Sequence, residues 1–508
     1  MLKMNLDLSE LELLAIIVFG TYWAVVEILK RKGVLRSRNI TAVGPILMIR
    51  TTKGLKFLEK ISKPKKFWRV IATLGVPAVF AGMAFMFSLI LIMDYIMVTS
   101  PPKPSPATNP RNALLIPGIN QFIPLIWGLI GLVVTLIVHE FSHAILCRVE
   151  GVKVKALGVL LALIPIGGFA EPDESELMDE KKLKRIQRIR IFSAGVISNF
   201  IVALITFSAF FYFLGFLQPH VVVVDSKVEG IKNGSVILSI NGVRVYDEDD
   251  VQRALKFDDV VYLQIRQGSE VKTVKLRKIT GVYVVGILEG YPAENAGIKK
   301  GDVIMTVNGI ETLTLKDFMS VMKSTRPNET VTVSIYDGES IRTINVTLTR
   351  SPHGDYGFMG VSIGGDYLSG IVLGYSGRLL TNLKSIPTQL LNFKGWLYVI
   401  AMPFMFQGFS GDLLNYFTPT GFWRDLGSMI FYLLNILYWI GWINFYVGLF
   451  NCLPAIPLDG GRVFQESLML IFRGEKGKEI SALIVRTLAI TVFLSIALSI
   501  VIPNMQVR

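Results

Sequence analysis

The sequence predicts a polytopic α-helical membrane protein, with about six transmembrane helices and one inserted, extracytoplasmic β-rich module built as a tandem repeat. Three observations carry that expectation. Apolar residues come in long blocks, the loops between the blocks alternate in basic content, and the longest polar stretch repeats itself. The 508 residues are 51% hydrophobic and 18% charged, with a mean hydropathy of +0.51, which excludes a disordered chain or a nucleic-acid tail. In such a chain the formal net charge of +13 is first a topology signal, and no nucleic-acid partner is expected. Two cysteines, Cys147 and Cys452, cannot build a disulfide framework.

Five apolar runs, at about 11–29, 70–93, 122–146, 191–216 and 429–450, reach the ~17–25 residues that cross a bilayer as a helix. A sixth, at about 480–502, carries Arg486 near one end, where its side chain can reach the interface. Met1 to Glu10 is acidic and no small-residue cleavage site follows the first run, so that run reads as a retained anchor. Lys30 to Arg69 holds 13 Lys/Arg against one acid, Glu59, which puts this loop in the cytoplasm and the N-terminus outside. The Pro-rich loop Asp94 to Gln121 has two basic residues and is expected outside. Run three then descends, and the basic stretch Lys181 to Arg190 marks the inner side. Run four rises, so the polar stretch at about 219–365 is external; run five descends, run six rises, and the C-terminus is outside. Trp396 to Phe406 is apolar but short and contains Pro403, so it is expected to be re-entrant or interfacial.

Within the external stretch, Gly234 to Gly242 (GSVILSING) matches Gly301 to Gly309 (GDVIMTVNG) at an offset of 67. Each copy alternates apolar and polar residues into an Asn-Gly turn, the chemistry of a strand entering a tight hairpin. A short helical pattern follows in each, Val251 to Leu255 and Phe318 to Met322, and then another alternating run ending at Gly268 or Gly338. A duplicated small β-rich unit is the simplest reading. The second copy, through Gly290-Tyr291-Pro292-Ala293-Glu294-Asn295-Ala296-Gly297 and Val307-Asn308-Gly309, resembles a protease-associated PDZ domain. The first copy lacks the Pro-Ala-x-x-Ala-Gly turn and reads as degenerate. The resemblance implies capture of extended peptides or protein termini by strand addition, with Gly360 in the loop Tyr356 to Val361 near a bound carboxylate. A structural spacer or lid is the alternative.

Run three ends in His139-Glu140-Phe141-Ser142-His143. On a helix, residues i and i+4 share a face, so both imidazoles can hold one metal while Glu140 lies beside them to accept a proton from water. A helix end whose ionisable groups merely reach the interface is the alternative, but such groups at membrane depth are costly and usually functional. A catalytic zinc takes three protein ligands. His220 and His353 fall in the external region and read as surface or turn histidines, which leaves a carboxylate or a thiolate near the same bilayer face. The stretch Asn451 to Arg462 breaks the chain after run five with two prolines and two glycines, and Asp459 sits in that break. A simple turn with Asp459 paired to Arg462 is the competing reading.

His139-Glu140-x-x-His143, followed about 300 residues later by Asn451-x-x-Pro454-x-x-x-Leu458-Asp459-Gly460 with PDZ-like sequence between, is similar to the site-2 proteases, zinc intramembrane metalloproteases. Pro117 to Asn120, and Arg190 to Phe200 with Gly195-x-x-x-Asn199, resemble the branch that includes the animal sterol-regulatory enzyme. The Cys-rich luminal insert of that enzyme is missing, which implies a prokaryotic, archaeal-type chain. The resemblance implies that His139, His143 and Asp459 hold one Zn²⁺ per chain and that Glu140 is the general base and later acid. It implies that Asn199 orients substrate or stabilises the oxyanion, with a helix–helix hydrogen bond as the structural alternative. Asn451 and Pro454, with Gly360 in the module, are the substrate-binding candidates. Cys147 and Cys452 need no metal role, as small buried apolar residues.

The expected domains are 1–98, a two-helix membrane hairpin with a basic cytoplasmic loop; 119–218, the first part of the catalytic membrane core; 219–280, a degenerate PDZ-like repeat; 281–365, a PDZ domain; 366–426, an amphipathic or re-entrant connector; and 427–508, the second part of the core. Expected partners are single-span membrane protein substrates, peptide or protein termini at the PDZ module, and the lipid bilayer. Because the carbonyls of a helical substrate are hydrogen-bonded, the substrate must unwind before attack. Gly151 to Phe169 reads as a β-hairpin or loop at the bilayer edge, whose open edge could pair with the unwound strand, with Val154 as the position to test; an amphipathic connector is the alternative. The family's activity implies cleavage of membrane-anchored regulators. A membrane-tethered PDZ scaffold, or a metal-binding membrane protein without proteolytic activity, is the rival.

Overall fold

The computed structural model describes residues 10–35, 40–105, 108–112, 115–255 and 259–505. Residues 1–9 of the Met1 to Glu10 stretch, on which the anchor expectation partly rests, lie outside the described residues. Two compact units divide the chain: Met1–Phe210 with Ile400–Gln407 and Asn435–Arg508, and Phe211–Val399 with Gly408–Leu434.

The first unit is mostly helical, with one small sheet. Its main helices are α1 (Glu10–Arg31), α2 (Lys65–Thr99), α3 (Leu125–Glu150), α4 (Arg185–Phe213) and, in chain order beyond α5 (Glu248–Ala254) and α6 (Leu315–Ser324) of the second unit, α7 (Met429–Asn451), α8 (Asp459–Ile471) and α9 (Gly474–Met505); shorter helices at Leu55–Ile61 and Glu174–Leu177 lie between them, and Ser376–Gln389 is a further helix of the second unit. Among the described residues, five helices are long and apolar enough to cross a membrane: α2, α3, α4 with its extension to Phe216, α7 and α9. The first expected run forms α1, a helix of 22 residues. The stretch expected to be re-entrant or interfacial forms the helix Phe393–Met405, 13 residues around Pro403, and Tyr438 Oη donates to the Phe406 carbonyl at 2.8 Å.

Small residues let these helices approach closely, as packing between apolar helices requires. A Cβ on Gly75 of α2 would lie 2.6 Å from Ile197 of α4, and one on Gly131 of α3 would lie 2.8 Å from the Trp439 carbonyl of α7. Helix α7 is the inner one: 61% of its apolar window is buried, against 17–28% for the other four. At the end of α3, the fully enclosed carboxylate of Glu150 meets Arg69 of α2 at 3.1 Å, Arg190 of α4 at 3.0 Å and Gln187 at 2.8 Å. Three helices are thereby tied at one level, and removing one partner of such a buried pair typically costs about 3–5 kcal/mol.

Strands β1 (Ile40–Val43), β2 (Ile46–Thr51), β3 (Val154–Ala162) and β4 (Ile164–Pro172) form one antiparallel sheet in that order. The β3–β4 pair is the hairpin form of the segment after α3. Its pairing with β1–β2, which comes from the basic loop before α2, was not anticipated. The β2 strand covers the outer edge of β3 from Leu161 to Leu157, so the sheet's outer strands are β1 and β4, and of the β3–β4 hairpin's own edges the one that no strand covers is that of β4. Val154 opens β3 at the end of the β3–β4 pairing, opposite Pro172, and its side chain is buried, so a substitution there perturbs the packing under the hairpin as well as any strand pairing.

The second unit carries the repeat. The ten strands along its main sheet are β5 (Val221–Ser226), β6 (Val236–Ile240), β7 (Val260–Gln267), β8 (Glu270–Arg277), β9 (Thr280–Ile287), β10 (Val303–Val307), β11 (Thr330–Tyr336), β12 (Ile341–Thr347), β13 (Val361–Leu368) and β14 (Ile371–Tyr375). Their order is β8-β7-β6-β5-β14-β13-β9-β10-β11-β12. The two copies share backbone geometry as well as sequence. Asn241-Gly242 and Asn308-Gly309 both take left-handed φ values, 49° and 80° against 51° and 76°, as a tight hairpin turn demands. The copies are nested rather than sequential. Strand β14 follows the second copy but pairs with β5, and Ile371, Leu373 and Tyr375 complete the core of the first copy. Residues 371–375 therefore belong with the repeat and not with the connector expected at 366–426.

His220, expected at a surface or turn, is instead 6% exposed, with Nε2 2.7 Å from Thr418 Oγ1. His353 is exposed. Burial, reinforced by the charge of Arg266, pulls the His220 imidazole down to about 4. An unfolded histidine near 6.5 binds a proton as pH falls below that value while the folded one does not, so stability is lost as pH falls from about 6.5 to about 4. Asp366, pushed up to about 6 by burial, contributes the opposite slope, so the His220 effect must be read by difference. Hydrogen exchange of Val221 to Ser226 in the full chain, corrected for intrinsic rates, should show wild type losing up to about 3 kcal/mol relative to His220→Gln across that window; parallel pH profiles would contradict the assignment.

Candidate metal centre

Helix α3 places His139 and His143 one turn apart on one face, with Nε2 atoms 3.3 Å apart. Asp459 Oδ2 lies 3.0 Å from His139 Nε2 and 3.1 Å from His143 Nε2. A tetrahedral ion with bonds of ~2.0–2.1 Å holds its ligands roughly 3.3 Å from one another, so the three donor atoms are spaced as one zinc requires. Two imidazoles and a carboxylate are also a borderline donor set suited to that ion. Among the described residues this is the one group of three His, Cys, Asp or Glu side chains close enough to hold a metal.

Asp459 reaches the site because the chain turns tightly before it. Residues 452–458 link α7 to α8, and Asp459 is the first residue of α8. A Cβ on Gly460 would run into the Cys452 and Leu453 carbonyls, and one on Gly461 would lie 2.5 Å from the Ala455 backbone. The paired glycines thus let the linker lie directly on the start of the helix. Arg462 does not serve as the partner of Asp459: its guanidinium stands over the Phe192 ring at 5.4 Å.

The imidazoles are oriented from behind. His143 Nδ1 lies 2.8 Å from the Ile191 carbonyl, so Nδ1 carries the proton and Nε2 faces the site. Asn199 of α4 is fully buried, with its amide 3.1 Å from His139 Nδ1. Gly195, one turn earlier, leaves the room the ligands occupy, since its Cβ would lie 2.5 Å from both His139 Nε2 and His143 Nε2. Glu140 turns toward the hairpin, where its Oε2 accepts from the Ala170 amide at 3.1 Å. A Cβ on Gly168 would lie 2.9 Å from Glu140 Cγ, so β4 can approach only as glycine.

The remaining candidates are more dispersed. Asn451 is the last residue of α7, and Pro454 is buried in the turn that follows. Gly360 belongs to the second unit, at φ +84° just before β13 and against Tyr291. Cys147 and Cys452 are buried free thiols; the Cys452 sulfur packs where Gly82 of α2 lacks a side chain. Three contributors escaped sequence reasoning: the Ile191 carbonyl, the Ala170 amide and Gly168. Backbone groups leave no residue-type signal, and only the Gly167-Gly168 pair inside an apolar hairpin could have drawn notice.

A family model described as peptidase family M50 matches residues 127–495. An uncharacterized protein of Methanocaldococcus jannaschii is 30% identical over 293 residues, 56% of this chain and 73% of its own. Zinc metalloprotease RasP of Shouchella clausii is 28% identical over 38% of this chain and 43% of its own length. Regulator of sigma E protease of Haemophilus influenzae is 20% identical over 70% of this chain and 93% of its own. The solved PDZ domain of an SdrC-like protein from Listeria innocua is 27% identical, covering 16% of this chain and 93% of that one, with a TM-score of 0.15.

The close approach at Gly195 is directly testable. Gly195→Ala should lower zinc affinity at least about tenfold by displacing both imidazoles, measured by chelator competition on the full chain in detergent; unchanged affinity would contradict the packing.

Proposed function

The chain belongs to peptidase family M50, and from that premise we propose that it is a multi-pass intramembrane zinc metalloprotease that cleaves transmembrane segments of membrane-anchored regulatory proteins. The observation that carries the reading is the convergence of His139, His143 and Asp459 beside Glu140 in a unit of long apolar helices. One such group among the described residues supports one zinc per chain.

Zinc in this donor set would supply Lewis acidity and bring the pKa of water toward ~7. Glu140 takes the proton of the attacking water at its carboxylate and returns it to the leaving amine. The Ala170 amide holds one carboxylate oxygen, which limits Glu140 to a single orientation. Asp459 and the two imidazoles would hold the ion, with the Ile191 carbonyl keeping the His143 ring in the tautomer that presents Nε2. The open edge of β4, in register with Glu140 through Ala170, supports pairing with an unwound substrate strand there rather than along β3.

We place the active centre near the cytoplasmic face and the repeat module outside, with both termini outside. The β1–β4 sheet supports the first part of this topology. It joins the loop before α2 to the loop after α3, and both are the basic ones. In the module, β13 pairs with β9 along one edge but with β14 only at Asp366 to Leu368, so Val361 to Gly364 keep an open edge beside α6. The corresponding strand of the first copy, β14, has β13 on its outer edge. This favours the second copy as the one that takes an extended peptide or protein terminus.

Cleavage of a single-span reporter in reconstituted membranes, wild type against Glu140→Gln with zinc assayed on both, tests the reading. The variant should lose about 10²–10⁴-fold in rate while retaining zinc. Equal cleavage by both proteins would remove Glu140 as the base, and a wild type that binds no zinc would favour the scaffold.

A further inference from the structure

We propose that Asn199 is a positioning residue: its side-chain oxygen accepts the Nδ1 proton of His139 and so presents Nε2 of that ring to the metal. The inference rests on the metal reading above and assigns Asn199 a role other than contact with substrate.

Asn199 is fully buried in α4, while His139 is 8% exposed. As placed, the amide nitrogen of Asn199 faces His139 Nδ1 at 3.1 Å, and its oxygen is buried with no hydrogen-bond partner among the described residues. These two facts have one remedy. The oxygen and nitrogen of a carboxamide are interchangeable by a half-turn of the side chain and are assigned from their hydrogen bonds. If Nε2 of His139 is to be a ligand, Nδ1 must carry the ring proton, and a facing NH₂ would set donor against donor. The half-turn gives Nδ1–H an acceptor and gives the orphaned oxygen a donor.

The second imidazole supplies an internal comparison. His143 already has an oxygen on Nδ1, from the Ile191 backbone, and its Nε2 faces the same point. After the half-turn both rings share one arrangement, an oxygen behind and the ligating nitrogen in front. Both oxygens come from α4, eight residues apart, so a single helix sets both rings. Gly195, between them, leaves the space into which the rings project.

The chain contains only four histidines, so full-length protein labelled with ¹⁵N-histidine, reconstituted with zinc, gives a short set of ring-nitrogen signals by solid-state NMR. Wild type should show His139 protonated at Nδ1 and metallated at Nε2; metallation at Nδ1 would overturn the proposal. Zinc affinity by chelator competition should fall about 10–100-fold in Asn199→Leu, which fills the space without an acceptor, and recover in Asn199→Asp, which restores an oxygen. Wild-type affinity in Asn199→Leu, or an Asp variant as weak as the Leu variant, would overturn it. A wild type that binds no zinc would instead remove the metal reading, and this inference with it.

Discussion

Two imidazoles and one carboxylate oxygen lie within 3.3 Å of one another inside a unit of apolar helices, and much of the first unit can be understood from that constraint. Ionisable groups at membrane depth are costly unless each finds a partner. The three donors come from helices α3 and α8, 316 residues apart in the chain, and α4 backs both rings. Keeping them together requires close helix contacts. Glycines at 75, 82, 131 and 195 provide these, each at a place where a Cβ would meet a neighbour. The enclosed Glu150 with Arg69 and Arg190 ties α2, α3 and α4 at a second level, so the ligand-bearing helix is held both at the site and at its end.

The β1–β4 sheet extends the same logic to Glu140, the proposed base. Glu140 is not a ligand here; it points to the hairpin and is held by a backbone amide of β4. The hairpin is in turn widened by β1–β2, with Arg50 of β2 meeting Glu171 at 3.1 Å. A strand edge, the proposed base and the candidate metal site are thus assembled from three separate segments of the chain.

Much of the site was legible in the sequence because its chemistry depends on residue type. His139, Glu140 and His143 announce themselves by helical spacing, and Asp459 by the proline and glycine breaks around it. The helix lengths followed from apolar run length, and the repeat from the matched Asn-Gly turns. What was not legible depends on long-range pairing. Ile40 to Thr51 lies in a loop whose basic residues dominate its composition, and its partner β3 is over a hundred residues away. Ile371 to Tyr375 is too short to identify its partner, so the nesting of the two copies becomes visible only when β14 is seen beside β5. His220 looked like a loop histidine because nothing local signals Thr418 or the enclosure around it.

The central claim is the identity of the ligands, and zinc K-edge X-ray absorption on the full-length protein in membranes tests it most directly. Two imidazole nitrogens and carboxylate oxygen at ~2.0–2.1 Å, with no sulfur in the shell, is the predicted result. A zinc–sulfur distance near ~2.3 Å would bring Cys147 or Cys452 into the site and contradict the account.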